Sequence, residues 1–196
     1  EKNLPLDLPA LIQAALPAFG ELITDPGEAL LTFFADRLAV SLRDQGYSAQ
    51  EVDEVLGLNP VRLGDVPRRL EAVRAFAALP EAASLAAANK RVANILKKIE
   101  GTLPTAIDAA LLKEPAEQAL AAAIEQVQPQ ADALFEQHDY AGSLKALAQL
   151  KAPVDAFFDG VMVNADDAAL RANRQALLNR LHAAMNRVAD LARLAA

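Results

Sequence analysis

Cysteine is absent from the 196 residues, which removes disulfides, thiolate metal sites and thiol nucleophiles and fits a reducing cytoplasm. Tryptophan is absent too, and there are two tyrosines and seven phenylalanines. Strand-rich folds favour aromatic and β-branched residues, so this scarcity points away from them. Histidine occurs twice, at His138 and His182. No apolar run is long enough for a bilayer: Leu8 to Gly20 carries no charge but falls short of the roughly 20 residues a membrane helix needs. Nothing near the start pairs a basic opening with a short apolar run and a cleavage site, as a signal peptide would. The chain opens on Glu1 without Met and reads as trimmed from a longer polypeptide.

What is present is helix-forming. Apolar residues make up 53% of the chain, and the excess is Ala and Leu, which cost a helix least. Glycines and prolines punctuate the apolar periodicity. Gly20, Gly46, Gly57, Gly64 and Gly101 follow periodic segments, where C-terminal caps are expected. Asp25-Pro26-Gly27-Glu28, Ser48-Ala49-Gln50-Glu51 and Asn164-Ala165-Asp166-Asp167 read as helix starts. The pattern predicts an all-α chain of about ten helices, near 7–20, 26–45, 48–57, 65–79, 81–100, 105–112, 115–137, 140–150, 153–163 and 165–194, with a kink or break at Pro129. A composition shift near Leu79-Pro80 divides it into a region 1–80 and a region 81–196.

The net charge of −7 is unevenly placed. Residues 1–84 hold 7 Lys/Arg against 13 Asp/Glu, and residues 85–196 hold 12 against 13. Acidity belongs to the first part, and the second is close to neutral. Ala82 to Ile99 contains no acid and four cations. At 100° per residue, Leu85, Ala88, Val92, Ile95, Leu96 and Ile99 share one side, while Lys90, Arg91, Asn94, Lys97 and Lys98 share the other. Such a face suits phosphate. It also suits a solvated surface, with Lys97 and Lys98 complementing the helix C-terminus. In the last helix Leu170, Leu177, Leu181, Met185 and Val188 form the apolar stripe, and Arg180 and Arg187 lie a heptad apart on another face. Arg174 projects into the apolar sector. A buried arginine must be paired, so a structural ion pair is expected, with Asp155 or Asp159 as partner.

Material for catalysis is thin. His138-Asp139 is the dipeptide of metal-dependent phosphohydrolases of the HD type, but such a site needs several more histidines, and a polar turn between helices accounts for the pair. There is no glycine-rich phosphate loop and no Ser–His–Asp arrangement. The expectation is a chain with no catalytic residue, no metal and no cofactor of its own.

Tyr140 to Leu181 resembles the C-terminal end of the β subunit of bacterial glycyl-tRNA synthetases. The match is carried by Pro153-Val154-Asp155-Ala156-Phe157-Phe158-Asp159, Val161-Met162-Val163 and Leu170-Arg171-Ala172-Asn173-Arg174. Upstream, Ala88-Asn89-Lys90-Arg91-Val92-Ala93-Asn94-Ile95-Leu96-Lys97-Lys98 is similar to the opening helix of that family's DALR anticodon-binding module. Asp44-Gln45-Gly46-Tyr47 and Asp65-Val66-Pro67-Arg68-Arg69-Leu70 resemble the helical region before the module. Gln175 departs from the pattern, standing where the family has an apolar residue.

The resemblance implies a helical body region, 1–80, followed by a DALR-like anticodon-binding bundle, 81–196. Both would belong to a heterotetrameric, cytoplasmic ligase whose aminoacylation site lies on its α subunit. It implies the anticodon region of glycine tRNA as ligand. The rest of the β subunit and the α subunit would be protein partners, with no membrane involved. Lys90, Arg91, Asn94, Lys97, Lys98, Arg171, Arg180 and Arg187 are the expected RNA-binding residues. Unstacked loop bases are the natural targets, because A-form stems hide their base edges. With few aromatics, stacking would fall to arginine planes or to Tyr47 and Tyr140. The alternative is a helical scaffold or subunit-interface piece that binds RNA negligibly alone.

Overall fold

A computed structural model of the chain describes residues 6–195. Among them the secondary structure is nine α-helices and five short 3-10 turns, with no strand, as the alanine- and leucine-rich periodicity requires. The chain divides into two compact units, Glu1–Glu71 and Ala72–Ala196. The division lies ahead of the composition shift at Leu79-Pro80.

The first unit contains α1 (Leu8–Ala15), α2 (Gly27–Asp44) and α3 (Ala49–Leu56), and α4 (Val66–Ala77) runs across the division. α2 packs against both α1 and α3. Ser48 closes a capping box at the start of α3: its hydroxyl accepts from the Glu51 amide, and the Glu51 carboxylate accepts from the Ser48 amide. That reciprocal pairing satisfies two amides that the first turn cannot bond internally.

The second unit holds α5 (Ala82–Leu96), α6 (Pro115–Glu136), α7 (Tyr140–Leu147), α8 (Lys151–Gly160) and α9 (Ala168–Met185). α6 packs on α7, α8 and α9, while α5 packs on α8, α9 and the 3-10 turn Leu191–Leu194. The core is mainly aliphatic, with Leu85, Leu120, Ile124, Leu147 and Leu177 buried around the ring of Phe157.

Three expectations change here. Pro129 does not break α6, which runs unbroken from Pro115 to Glu136. Pro129 is exposed, so the carbonyl that loses its amide partner faces water, while Ile124, Val127 and Ala131 hold the buried face. Residues 105–112 form no helix beyond the turn Ala109–Leu111. The Asn173 amide clamps this segment, accepting from the Asp108 amide at 2.7 Å and donating to the Asp108 carbonyl at 3.1 Å. A helix running through Asp108 would need that amide for its own ladder, whereas the Asp108 carbonyl still accepts from Leu111 in the short turn. The last helix begins later than expected, because Asp167 rather than Asn164 caps it, accepting from the amides of Ala169 and Leu170. It ends at Met185, and a separate turn follows.

Candidate nucleic-acid interface

α5 sorts its side chains by burial as its periodicity requires. Leu85, Ala86, Asn89, Val92 and Leu96 are buried, and Lys90, Arg91, Asn94, Lys97 and Lys98 are all exposed. Their situations differ. The Lys90 ammonium donates to the Ala195 carbonyl at 3.0 Å, and the Arg91 guanidinium lies 4.3 Å over the ring of Phe158. The side chains of Asn94, Lys97 and Lys98 make no hydrogen bond or ion pair with any described residue. The unengaged part of the face is therefore the last turn of α5 and the two residues that follow it.

Arg171 and Arg180 on α9 and Arg187 just past its end, all expected to contact RNA, are engaged within the protein. Arg171 donates to the carbonyls of Ala165 and Asp166 at 2.6 and 3.3 Å, tying down the segment before its own helix. Arg180 donates to Gln128 at 2.9 Å and lies 3.8 Å from Glu125. Arg187 bonds Asp132 and Glu136 and stacks 4.1 Å over Phe135. Burial works against the charge of the Arg187 guanidinium, but its bonds to Asp132 and Glu136 outweigh that and raise its pKa. For Arg180 and Arg187 the reason is the packing of α9 on α6, which brings a row of α6 acids and an amide to them. Helical periodicity within α9 carries no information about that partner.

Arg174 is buried, and its expected partners are corrected. Its Nε donates to the carboxylate of Glu117, which is fully buried, and an Nη donates to the Met162 carbonyl at 2.7 Å. Glu117 also accepts from the Glu114 amide at 2.8 Å, closing the capping box of α6, so one carboxylate serves a helix start and a core cation. Asp155 instead takes Lys151 at 2.6 Å and the Ser84 hydroxyl at 2.8 Å. The Lys151 bond lowers the Asp155 pKa against the opposing effect of burial. Asp159 is exposed on the last turn of α8.

His138 and Asp139 form the joint between α6 and α7. His138 takes a left-handed conformation (φ 60°) and shares a 3.0 Å hydrogen bond between its Nδ1 and the Tyr140 hydroxyl. Asp139 caps α7 by accepting from the Gly142 amide at 2.8 Å. No group of three or more His, Asp or Glu among the described residues is arranged to hold a metal. Tyr140 is buried against Phe135, which withdraws it as a stacking platform.

Two features were missed at the level of sequence. Asn89 and Asn186 form a reciprocal amide pair (2.9 and 3.1 Å), with Asn89 fully buried. The available signal was a polar residue within the apolar stripe of α5. The second feature is a cleft of about 230 Å³ beside the unengaged end of α5, lined by Ile95, Lys98, Ile99, Asn164 and Gln175. Its residues come from three separate segments, so no local motif marks it.

The family model of the DALR anticodon binding domain matches residues 85–192, a span that holds α5 through α9 and the cleft. Over its whole length the chain is similar to proteins named glycine–tRNA ligase β subunit. It is 76% identical to the one from Leptothrix cholodnii and 63% identical to those from Polaromonas naphthalenivorans and Janthinobacterium sp.. It spans 28% of the length of each of these curated relatives. No helix among the described residues is long and apolar enough to cross a membrane.

Proposed function

This chain belongs to the family of the DALR anticodon binding domain, and from that premise we propose that its second unit recognises the anticodon region of glycine tRNA. It does so as part of the β subunit of a heterotetrameric glycine–tRNA ligase in the cytoplasm. The observation that carries the reading is the exposed α5 face inside the matched span, where Asn94, Lys97 and Lys98 have no protein partner. Arg91, stacked on Phe158, adds a guanidinium plane on which an unstacked base can lie. Catalysis by the whole enzyme, the ATP-dependent glycylation of tRNA, belongs to the α subunit, and this chain contributes binding and position.

The test is a titration of the 196-residue chain with a glycine-tRNA anticodon stem-loop beside a loop-scrambled control, at two salt concentrations. The cognate loop should bind more tightly. Lys97→Glu/Lys98→Glu should weaken binding and flatten the salt dependence by about 0.7 log units per lost single-strand contact, with an unchanged melting temperature. Equal binding of cognate and scrambled loops would overturn the reading.

A second role is proposed for residues 6–71. Phe19, Leu22, Phe33, Phe34 and Val40 are exposed there, and such apolar surface marks interaction sites. This unit is the helical body that docks on the remainder of the ligase, through the rest of the β subunit or the α subunit.

A further inference from the structure

We propose that the cleft between Ile95, Lys98, Ile99, Asn164 and Gln175 receives one unstacked nucleobase, with its edge bonded by the two amides; this rests on the RNA-binding reading above. Ile95 and Ile99 lie one turn apart along the end of α5 and its continuation and supply an aliphatic wall for a base face. Asn164 sits in the segment between α8 and α9. Because Asp167 takes the cap of α9, the Asn164 amide is left unused. Gln175, on α9, is half-buried and makes no hydrogen bond to any described residue. Neither amide is committed to the protein, so both are available to a ligand. Each amide offers both donors and an acceptor, which is the complement of a base edge.

Lys98 at the wall of the cleft is free to meet the phosphate that flanks an inserted base. Arg91 and Asn94 on the exposed side of α5, and Lys98 in the turn just past its end, run from the Arg91–Phe158 stack to the cleft.

The experiment uses the 196-residue chain and the cognate anticodon stem-loop carrying 2-aminopurine at one loop position at a time. The cleft lining contains no aromatic residue. A base drawn out of the loop stack into it should therefore brighten, and one loop position should do so on binding. Gln175→Leu and Asn164→Ala should each abolish that brightening and weaken binding roughly 2- to 12-fold, with the salt slope unchanged. Lys98→Ala should instead flatten the slope by about 0.7. If the wild type prefers the cognate loop but no position brightens, or both amide variants bind as the wild type does, the cleft proposal falls and the RNA reading stands. If the wild type shows no preference for the cognate loop, both fall. Should Gln175→Leu unfold, Asn164→Ala, on an exposed residue, decides alone.

Discussion

Residues 6–71 and residues 72–196 are built from the same alanine- and leucine-rich helices, but they bury their apolar side chains in opposite proportion. In the first, Ile12, Leu42, Val52, Val55, Val66 and Leu70 are buried, while Leu6, Leu11, Phe19, Leu22, Ile23, Phe33, Phe34, Val40 and Val61 are exposed. In the second, every helix contributes to a closed core, and Met162 is the one large apolar side chain among the described residues there that is classed as exposed. Polar groups divide the same way. The second unit pairs its buried charge, Arg174 with Glu117, and its buried amide, Asn89 with Asn186. The first also buries the carboxylates of Glu54 and Asp65, the latter met at 3.3 Å by a half-exposed Arg68, and keeps exposed pairs such as Arg43 and Asp53, 3.7 Å apart. A unit with a satisfied interior and a free cationic edge is equipped to bind a polar ligand. A unit with apolar residues on its surface is equipped to be covered by another protein.

The largest effect that sharpens this contrast is expected at Glu117. Glu117→Ala leaves the Arg174 guanidinium buried without its carboxylate and opens the α6 capping box. Breaking a buried pair costs about 3–5 kcal/mol, which should appear as a steep loss in denaturant midpoint. Arg43→Ala, which breaks a pair with about half of each side chain exposed, should cost no more than about 1 kcal/mol. Equal losses from the two variants would remove the distinction between the units.

The next effect in size is expected at Asn186. Its amide bonds Asn89 in both directions, donates to the His182 carbonyl at 2.7 Å and accepts from the Leu191 amide at 3.1 Å. Asn186→Ala strands a buried amide, costing about 1–3 kcal/mol, and should speed amide exchange at Leu191. Unaltered exchange there would mean that this amide does not pin the Leu191–Leu194 turn.

These two sites also show what sequence could and could not disclose. The all-α class, the capping box at Ser48 and the two-sided character of α5 follow from spacing, because a helix maps position onto direction. Arg174 could be assigned to the interior from its place on the stripe. Its partner could not, since Glu117 is 57 positions away and becomes adjacent only when α9 packs on α6. The same tertiary packing gives Arg180 and Arg187 acidic and amide partners on α6 that spacing within α9 could not name. Asn164 reads locally as a cap, but Asp167 competes for that place with a carboxylate that the helix N-terminus favours. The cleft escaped notice because three segments build it.

A smaller effect is expected from Phe33→Ser/Phe34→Ser. Both rings are exposed and pack edge-on at 5.9 Å. The double change should move stability by no more than about 0.5 kcal/mol per site while lowering the fluorescence of a hydrophobic dye bound to the chain. A large drop in melting temperature would place these rings in a core and erase the surface role assigned to the first unit.

The smallest effect concerns pH and returns to the second unit. His182, on α9, is half-buried. Burial holds its imidazole below the ordinary value of 6.5, the Asp190 carboxylate works against that shift, and the positive charge of Lys97 adds to it. With the folded pKa below the unfolded one, the unfolded chain takes up a proton first as pH falls. The contribution of His182 is therefore complete above the unfolded value and is lost as pH drops through about 6.5 toward the lowered folded value. Asp155 and Asp167, whose carboxyls are held low by their hydrogen bonds, act in the same direction only below about pH 4. Denaturant melts between pH 8 and 5 should show stability falling with acidification, and His182→Gln should remove that part of the slope. Lys97→Ala should reduce it without abolishing it, because burial is the larger cause. A slope that persists unchanged in His182→Gln would assign it to another group and leave the interior beneath the end of α5 without a titrating member.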